Sequence, residues 1–270
     1  LHTTWNLLLK QAGEKYIATW WATLLGSAVF LPGLLFSGLP VRDVWLLLFV
    51  SVLVEVGYYI TLSTAYRDAD FSLVYPLARG AAPALIAIWS VLFLGEKFTT
   101  GGSFGLGIII TGLLIVGSSN LFSRRREKPH MRGIILALLL AVLISIYSVI
   151  DGTAVKHTPA YSYAVLIFFL VPVFTTPLMF HKYGWKVLKT ELADHWLRIV
   201  GIGLLIVSAY MLVMVAYTIS RVSYVGAIRE FSVVLGAMAG WRFLGERLGG
   251  WRMVGSLIIF CGILVIAFLG

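Results

Sequence analysis

Apolar runs of about 20 residues recur along the whole chain and are separated by short polar connections. A helix needs about 20 such residues to cross the hydrocarbon core of a bilayer. With 60% hydrophobic and 12% charged residues, the chain carries far more apolar surface than a soluble domain of ordinary composition. The sequence therefore predicts an all-α integral membrane protein.

The pattern of apolar runs predicts ten transmembrane helices. Residues 1–9 would cover only about 14 Å as helix, so we expect the first helix to extend before Leu1. The lone cysteine, Cys261, excludes an intrachain disulfide. The ten expected spans are 1–11, 16–37, 44–65, 71–95, 102–121, 133–156, 160–181, 196–219, 222–245 and 250–269.

The two halves of the chain repeat. A shift of 150 residues aligns Arg79 with Arg229 and FLGE at 93–96 with FLGE at 243–246, and residues 75–117 then show 12 identities in 43 positions. Because five helices per half is an odd number, the second copy would enter the membrane from the opposite side. Such inverted repeats are typical of secondary transporters. We predict a first repeat at 1–122, a basic linker at 123–132 and a second repeat at 133–270.

The positive charge of the chain lies mainly in its connections. The odd-numbered connections carry 14 lysines and arginines and the even-numbered ones carry four, which predicts cytoplasmic odd connections and both termini outside. The formal charge of +9 is therefore assigned to loops near lipid headgroups and not to nucleic-acid binding. We expect a multi-pass protein of a bacterial or archaeal inner (plasma) membrane.

Three motifs carry a resemblance to a known family: HTTWNLLLK near the start, the duplicated FLGE followed by Lys or Arg, and a glycine-spaced helix after each copy. In these the chain resembles the drug/metabolite transporter superfamily, and more narrowly a ten-helix EamA-type member. The resemblance implies transport of small metabolites by exchange or ion-coupled alternating access. It also implies cytoplasmic termini, opposite to the charge count.

Two arginines lie inside apolar runs, at equal depth in the two halves. A charge at a helix centre costs about 2.5–3.5 kcal/mol on insertion scales, so such residues are candidates for function. The guanidinium groups of Arg79 and Arg229 suit a substrate carboxylate or phosphate, because their fork permits bidentate contact. The alternative is that each arginine pairs with an acid and braces the helix bundle.

Three acids are the candidate partners of these arginines. Glu55 lies in mid-helix, and a desolvated carboxyl group there can carry a proton; the alternative is a structural role. Asp151 lies one turn after Tyr147 and nearer a helix end, and is the second candidate for proton coupling. Glu230 points about 100° from Arg229 round its helix, so it faces either the cavity or a neighbouring helix.

The predicted substrate site combines these charges with polar and aromatic side chains, for which packing or interfacial roles are the alternative. Two arginines and three acids would favour a zwitterionic, amino-acid-like metabolite. The candidate set is Trp5, Asn6, Glu55, Tyr59, Tyr75, Arg79, Tyr147, Asp151, Tyr210, Tyr217, Arg229 and Glu230.

These features predict a secondary active transporter of a small polar metabolite, working by alternating access, with proton or ion coupling as a further possibility. The alternatives are an exporter of cationic or amphipathic toxic compounds and a non-transporting membrane receptor or scaffold. GGSFG at 101–105 matches G-x-S-x-G, but it enters a membrane helix and lacks the preceding strand of a hydrolase. No Walker A motif or metal-ligand spacing is present in the sequence, so we expect no catalysis, metal or cofactor.

Overall fold

The structure is a computed structural model that describes residues 1–94, 99–119, 131–219, 231–245 and 249–269. These residues form helices and turns, and no strand occurs among them. Short 3-10 turns at Leu31–Gly33 and Arg42–Val44 flank the third helix. The helices are α1 (His2–Lys10), α2 (Lys15–Phe30), α3 (Leu34–Ser37), α4 (Trp45–Asp68), α5 (Phe71–Leu94), α6 (Thr100–Gly117), α7 (Met131–Ala154), α8 (Ala160–Ile219), α9 (Phe231–Phe243) and α10 (Gly249–Leu269).

Six stretches in the described part of the chain are long and apolar enough to cross a membrane. They are Lys15–Ser37, Arg42–Asp68, Thr100–Gly117, Met131–Ala154, Ala160–Ile219 and Gly250–Leu269. This all-helical composition supports the predicted membrane class. The count of ten membrane helices and their inverted arrangement stay predictions.

The 60-residue helix α8 is interrupted twice. Its backbone leaves helical geometry at Gly184, with φ 71° and ψ 157°, and at His195, with φ −130° and ψ 18°. The positive φ at Gly184 is accessible to glycine without the steric cost that a Cβ would add. The two breaks divide α8 into α8a (160–183), α8b (185–194) and α8c (196–219).

The chain divides into two compact units, and each is built from both halves of the sequence. Unit 1 comprises Leu1–Thr64 and Tyr147–Ser220, and unit 2 comprises Ala65–Ile146 and Arg221–Gly270. The division falls inside α4 and inside α7. These units are defined by spatial contacts, whereas the predicted repeats are defined by sequence duplication. The repeat boundaries at 122 and 133 therefore stay a prediction.

In unit 1, α2 packs along α8. A Cβ on Gly26 would lie 2.6 Å from the carbonyl oxygen of Gly203, so the two backbones meet where neither residue has a side chain. The indole of Trp21 donates a hydrogen bond of 2.8 Å to the carbonyl oxygen of Leu188 in α8b. Small residues and tryptophan N–H groups thus hold α2 against α8.

In unit 2, α6 and α10 pack closely at two pairs of glycines. A Cβ on Gly112 would lie 2.7 Å from the carbonyl oxygen of Gly255, and one on Gly262 would lie 2.8 Å from that of Gly105. The 150-residue shift equates Gly105 with Gly255 and Gly112 with Gly262, so the two contacts are equivalent under exchange of the halves. A twofold axis between antiparallel helices would produce such reciprocal pairing, and the inverted repeat of the whole chain stays a prediction.

A buried arginine joins three elements of unit 2 at one end. Arg252, which is 1% exposed, donates from Nη1 to Asp70 Oδ2 at 2.8 Å and to Ser72 Oγ at 2.7 Å. Its Nε donates to Ser119 Oγ at 3.2 Å. The guanidinium therefore links the start of α10 to the start of α5 and to the residues that follow α6.

Candidate functional site

The most deeply buried charge in unit 1 is the carboxylate of Asp151, which is 0% exposed. Its Oδ1 accepts hydrogen bonds from Ser51 Oγ at 2.6 Å and from Tyr163 Oη at 2.8 Å, and its Oδ2 accepts one from Tyr210 Oη. Within the described part of the chain, the donors to Asp151 are hydroxyl groups alone. Its negative charge is thus stabilised by dipoles there and not by a lysine or arginine.

Five aromatic rings form a closed circuit in unit 1, which we call the aromatic circuit. Successive ring centroids lie 5.0, 6.4, 4.9, 6.4 and 5.7 Å apart, in the order Tyr58, Tyr59, Phe168, Tyr210, Tyr147 and back to Tyr58. Tyr210 belongs both to this circuit and to the donors of Asp151. Ring faces attract cations through their quadrupole, most strongly where water is excluded.

A buried polar stripe runs along α4, with one member on every fourth residue. Ser51, Glu55, Tyr59 and Ser63 are all buried, and each step rises about 6 Å along the helix axis. Ser51 bonds Asp151, and Ser63 lies 3.3 Å from the hydroxyl of Thr19 on α2. Glu55 lies between them on the same face of α4 and is 1% exposed.

Unit 2 holds Tyr75 and Arg79, one turn apart on α5 and both buried. The ring of Tyr75 stacks on that of Phe71, with centroids 5.0 Å apart. Gly236 on α9 leaves room for Tyr75, because a Cβ there would lie 2.5 Å from Tyr75 Cε1. Arg79 is 3% exposed, so its guanidinium is a buried cation as the sequence predicts.

The other predicted site residues differ in what surrounds them. Asn6 is buried, and its amide donates to the carbonyl oxygen of His2 at 2.8 Å, a bond within its own helix. The indole of Trp5 donates to Nδ1 of His2 at 3.4 Å, and Tyr217 is buried in α8c. Arg229 and Glu230 lie outside the described residues.

Four predicted residues are therefore joined by the aromatic circuit and the Asp151 bonds: Tyr59, Tyr147, Asp151 and Tyr210. Glu55 is buried on the same face of α4 as Ser51 and Tyr59. Sequence reasoning missed Ser51 and Tyr163, which bond Asp151 directly, and Phe168, which closes the circuit. Ser51 could have been predicted from the sequence, because it is a polar residue one helical turn before Glu55 and so lies on the same face of α4. Nothing local to Tyr163 or Phe168 distinguishes them from packing aromatics.

Chemically, unit 1 offers carboxylates beside aromatic faces in an environment shielded from water. A protonated amine fits such a setting, since it can donate to a carboxylate and lie against a ring face. Among the described residues, no group of three or more His, Cys, Asp or Glu side chains is arranged to hold a metal ion.

Comparison with known proteins identifies relatives across nearly the whole chain. Residues 3–118 and 131–268 match the EamA-like transporter family. One solved structure, titled only "Crystal structure of protein", is similar with a TM-score of 0.68 and 19% sequence identity. The match covers 99% of this chain and 97% of that one. At this level of identity the likeness concerns the fold alone.

Proposed function

The chain belongs to the EamA-like transporter family of the drug/metabolite transporter superfamily, and on this premise we propose that it moves a small, amine-bearing polar metabolite by alternating access. Family membership and the apolar helices make it an integral, multi-pass membrane transporter. The substrate and the mechanism are the proposal. We further propose a bacterial or archaeal inner membrane as its location and ten helices in two inverted repeats as its architecture.

The observation that carries the substrate class is the carboxylate of Asp151 beside the aromatic circuit. An isolated buried carboxylate is costly, and its cost falls when a cation comes close. The three hydroxyl donors leave its net charge in place, because hydroxyl dipoles carry no charge of their own. We therefore assign Asp151 to the ammonium group of the substrate, with Glu55 as a second carboxylate or as a proton carrier.

The buried guanidinium of Arg79 in unit 2 stays a predicted member of the substrate site, as the group suited to an acid. Placing an arginine inside an apolar membrane helix costs about 2.5–3.5 kcal/mol on insertion scales. The fork geometry of its guanidinium matches a carboxylate or a phosphate. Tyr75, one turn earlier on α5, shares its face. The presence of both buried carboxylates and a buried guanidinium in the chain is what favours a zwitterion, such as an amino acid, on charge type alone. Arg229 and Glu230 stay predicted members of the site.

A second candidate function is export of cationic or amphipathic compounds. It is favoured by the chemistry of unit 1 alone, in which carboxylates and aromatic rings occur together, a combination that suits a cation without any acidic group. The two functions differ in their use of Arg79. If Arg79 binds substrate as predicted, a compound with an acidic group depends on its guanidinium and a purely cationic compound does not.

Counterflow in proteoliposomes tests the proposal. Vesicles with purified protein are preloaded with one unlabelled compound from sets of amino acids, aminophosphonates, sugars and quaternary amines, and uptake of the labelled compound is followed. We expect saturable, counterflow-stimulated uptake of a zwitterion. Uptake confined to quaternary amines would favour the export function, and failure of every amine-bearing compound with success of a sugar would overturn the assignment of Asp151.

A further inference from the structure

The two breaks in α8 leave a short helix between two long ones. α8a and α8c each contain 24 residues, which is about 36 Å of helix and enough to cross a hydrocarbon core of about 30 Å. α8b contains only ten residues, about 15 Å of helix, and is too short to cross. Because the sequence predicts membrane spans over both flanking parts, α8b is the turn between two crossings and belongs to one surface of the membrane.

α8b is fixed to α2 by one of its faces. The carbonyl oxygen of Leu188, whose side chain is buried, accepts the indole N–H of Trp21 at 2.8 Å. One turn later, the carboxylate of Glu191 accepts the backbone N–H of Glu14 at 3.4 Å. The position of α8b against the start of α2 is therefore set by contacts within unit 1, and its other face is left exposed.

Four aromatic rings surround the start of α8b and form a closed set, which we call the tryptophan cluster. Successive ring centroids lie 4.5, 6.0, 5.6 and 6.2 Å apart, in the order Trp20, Trp21, Trp185, Phe180 and back to Trp20. Trp185 and, just after α8b, Trp196 are about half exposed. Tryptophan is enriched at the level of lipid headgroups, because its ring is apolar and its N–H is polar. The tryptophans thus indicate that α8b lies at that level.

The exposed face of α8b is cationic. Lys186 and Lys189 are both exposed, about 160° and 100° round the helix from the buried Leu188. Residues three apart are neighbours on a helix surface, so the two ammonium groups can reach one phosphate. Glu191 faces α2, and Asp194 lies about 7.5 Å further along the axis than Lys189. Residues 182–198 contain four lysines and arginines against two acids.

We propose that α8b is an interfacial helix whose Lys186 and Lys189 bind the phosphate of an anionic phospholipid, with Trp185 and Trp196 lying among the headgroups. Lysines near a bilayer surface attract anionic lipids, and half-exposed indoles need the apolar cover that a lipid supplies and a soluble phosphate does not. The four cations belong to the connections that the charge count assigns to the cytoplasm. The inference goes beyond the proposed function and holds whatever the substrate is.

Native mass spectrometry of the full chain in a neutral detergent, titrated with phosphatidylglycerol or phosphatidylcholine, tests the lipid site. We expect Lys186→Gln and Lys189→Gln each to weaken phosphatidylglycerol binding about fivefold, and Lys186→Arg to retain it. Phosphatidylcholine binding should not change. The matched control is Lys156→Gln, which removes an exposed lysine from an even-numbered connection and should have no effect. Soluble sn-glycerol 3-phosphate should not displace the lipid.

The depth of α8b is measured with spin labels in phosphatidylglycerol nanodiscs. In a Cys261→Ser background, a label at Thr190→Cys should be relaxed mainly by a nickel-chelating headgroup, and one at Leu212→Cys, exposed in the middle of α8c, mainly by oxygen. Oxygen-dominated relaxation at position 190 would overturn the interfacial placement. Equal phosphatidylglycerol binding by the lysine variants and the Lys156→Gln control, or displacement by glycerol 3-phosphate, would overturn the lipid site.

Discussion

Ser51 on α4 donates a hydrogen bond of 2.6 Å to Asp151 on α7, 100 residues further along the chain. The bond joins the uncharged side chain of Ser51 to the carboxylate of Asp151, which lies three residues before the end of α7. Together with Tyr163 and Tyr210 it turns a carboxylate near a helix terminus into a fully buried group. Asp151 is therefore the first residue at which the transport proposal can be tested.

Replacing Asp151 with Asn keeps the shape of the side chain and removes its charge. We expect counterflow uptake of an amine-bearing substrate to fall at least about tenfold, because the ammonium loses a charge-assisted partner. Thermal unfolding should report a folded protein. The matched control is Ser148→Ala on the same helix, since the buried hydroxyl of Ser148 has no hydrogen-bond partner among the described residues and should be dispensable. Normal uptake by Asp151→Asn would exclude its role as the amine partner.

Glu55→Gln tests proton coupling, because glutamine cannot carry a proton but has nearly the same size. We expect uptake driven by a pH gradient to be lost while exchange of internal for external substrate continues. Both assays use the same batch of vesicles, so the amount of folded protein cancels. Equal loss in the two assays would indicate a structural Glu55, and retained gradient-driven uptake would show that the proton is carried elsewhere.

Arg79→Lys preserves the positive charge and removes the bidentate fork. We expect the apparent affinity for a substrate with a carboxylate or phosphate to weaken about tenfold, because one of two charge-assisted bonds is lost. Affinity for a purely cationic compound should not fall. The control is Arg67→Lys, an exposed arginine that forms a 2.8 Å ion pair with the adjacent Asp68. Unchanged affinity for every substrate would indicate that Arg79 braces the helix bundle and does not bind substrate.

Arg252→Gln should destabilise unit 2 without affecting ligand affinity. The variant loses the guanidinium bonds to Asp70, Ser72 and Ser119, and we expect the free energy of unfolding to fall by about 2–4 kcal/mol. We expect a loss near the lower end of this range, because the side chain of Asp70 is 54% exposed and remains hydrated without its partner. Arg132→Gln breaks a 2.9 Å ion pair with Asp68 from a side chain that is 67% exposed, and should cost less than about 1 kcal/mol.

The glycine contacts of α6 provide the last test. Gly112→Ala should lower the unfolding free energy by about 1–3 kcal/mol, because the new methyl group meets the backbone of Gly255 and the helices must separate. Gly107 lies on the same helix, and a methyl group added there would have nothing within 4 Å, so Gly107→Ala should be neutral or stabilising by up to about 1 kcal/mol. Equal unfolding temperatures for the two variants would contradict close packing of α6 on α10.

The helical class and the family could be predicted from sequence because both depend on local pattern. Apolar runs of membrane length define helices whatever their partners are, and the FLGE duplication is visible without coordinates. The intramembrane charges Glu55, Arg79 and Asp151 were likewise conspicuous, since few polar residues interrupt such runs, and all three are buried. Trp5 and Asn6 were equally conspicuous, yet the bonds described for their side chains lie within their own helix.

The apolar runs alone predict a lipid environment and a helical chain, and they make the few charged residues inside those runs stand out. Which of these charged residues come into contact depends on how the helices pack. Ser51 on α4, Tyr163 on α8a and Tyr210 on α8c all reach Asp151 on α7. Helical periodicity gives the face on which a side chain lies. The neighbour opposite that face depends on how the helices pack, here between residues that are 12, 59 and 100 positions apart, and no local rule covers such contacts.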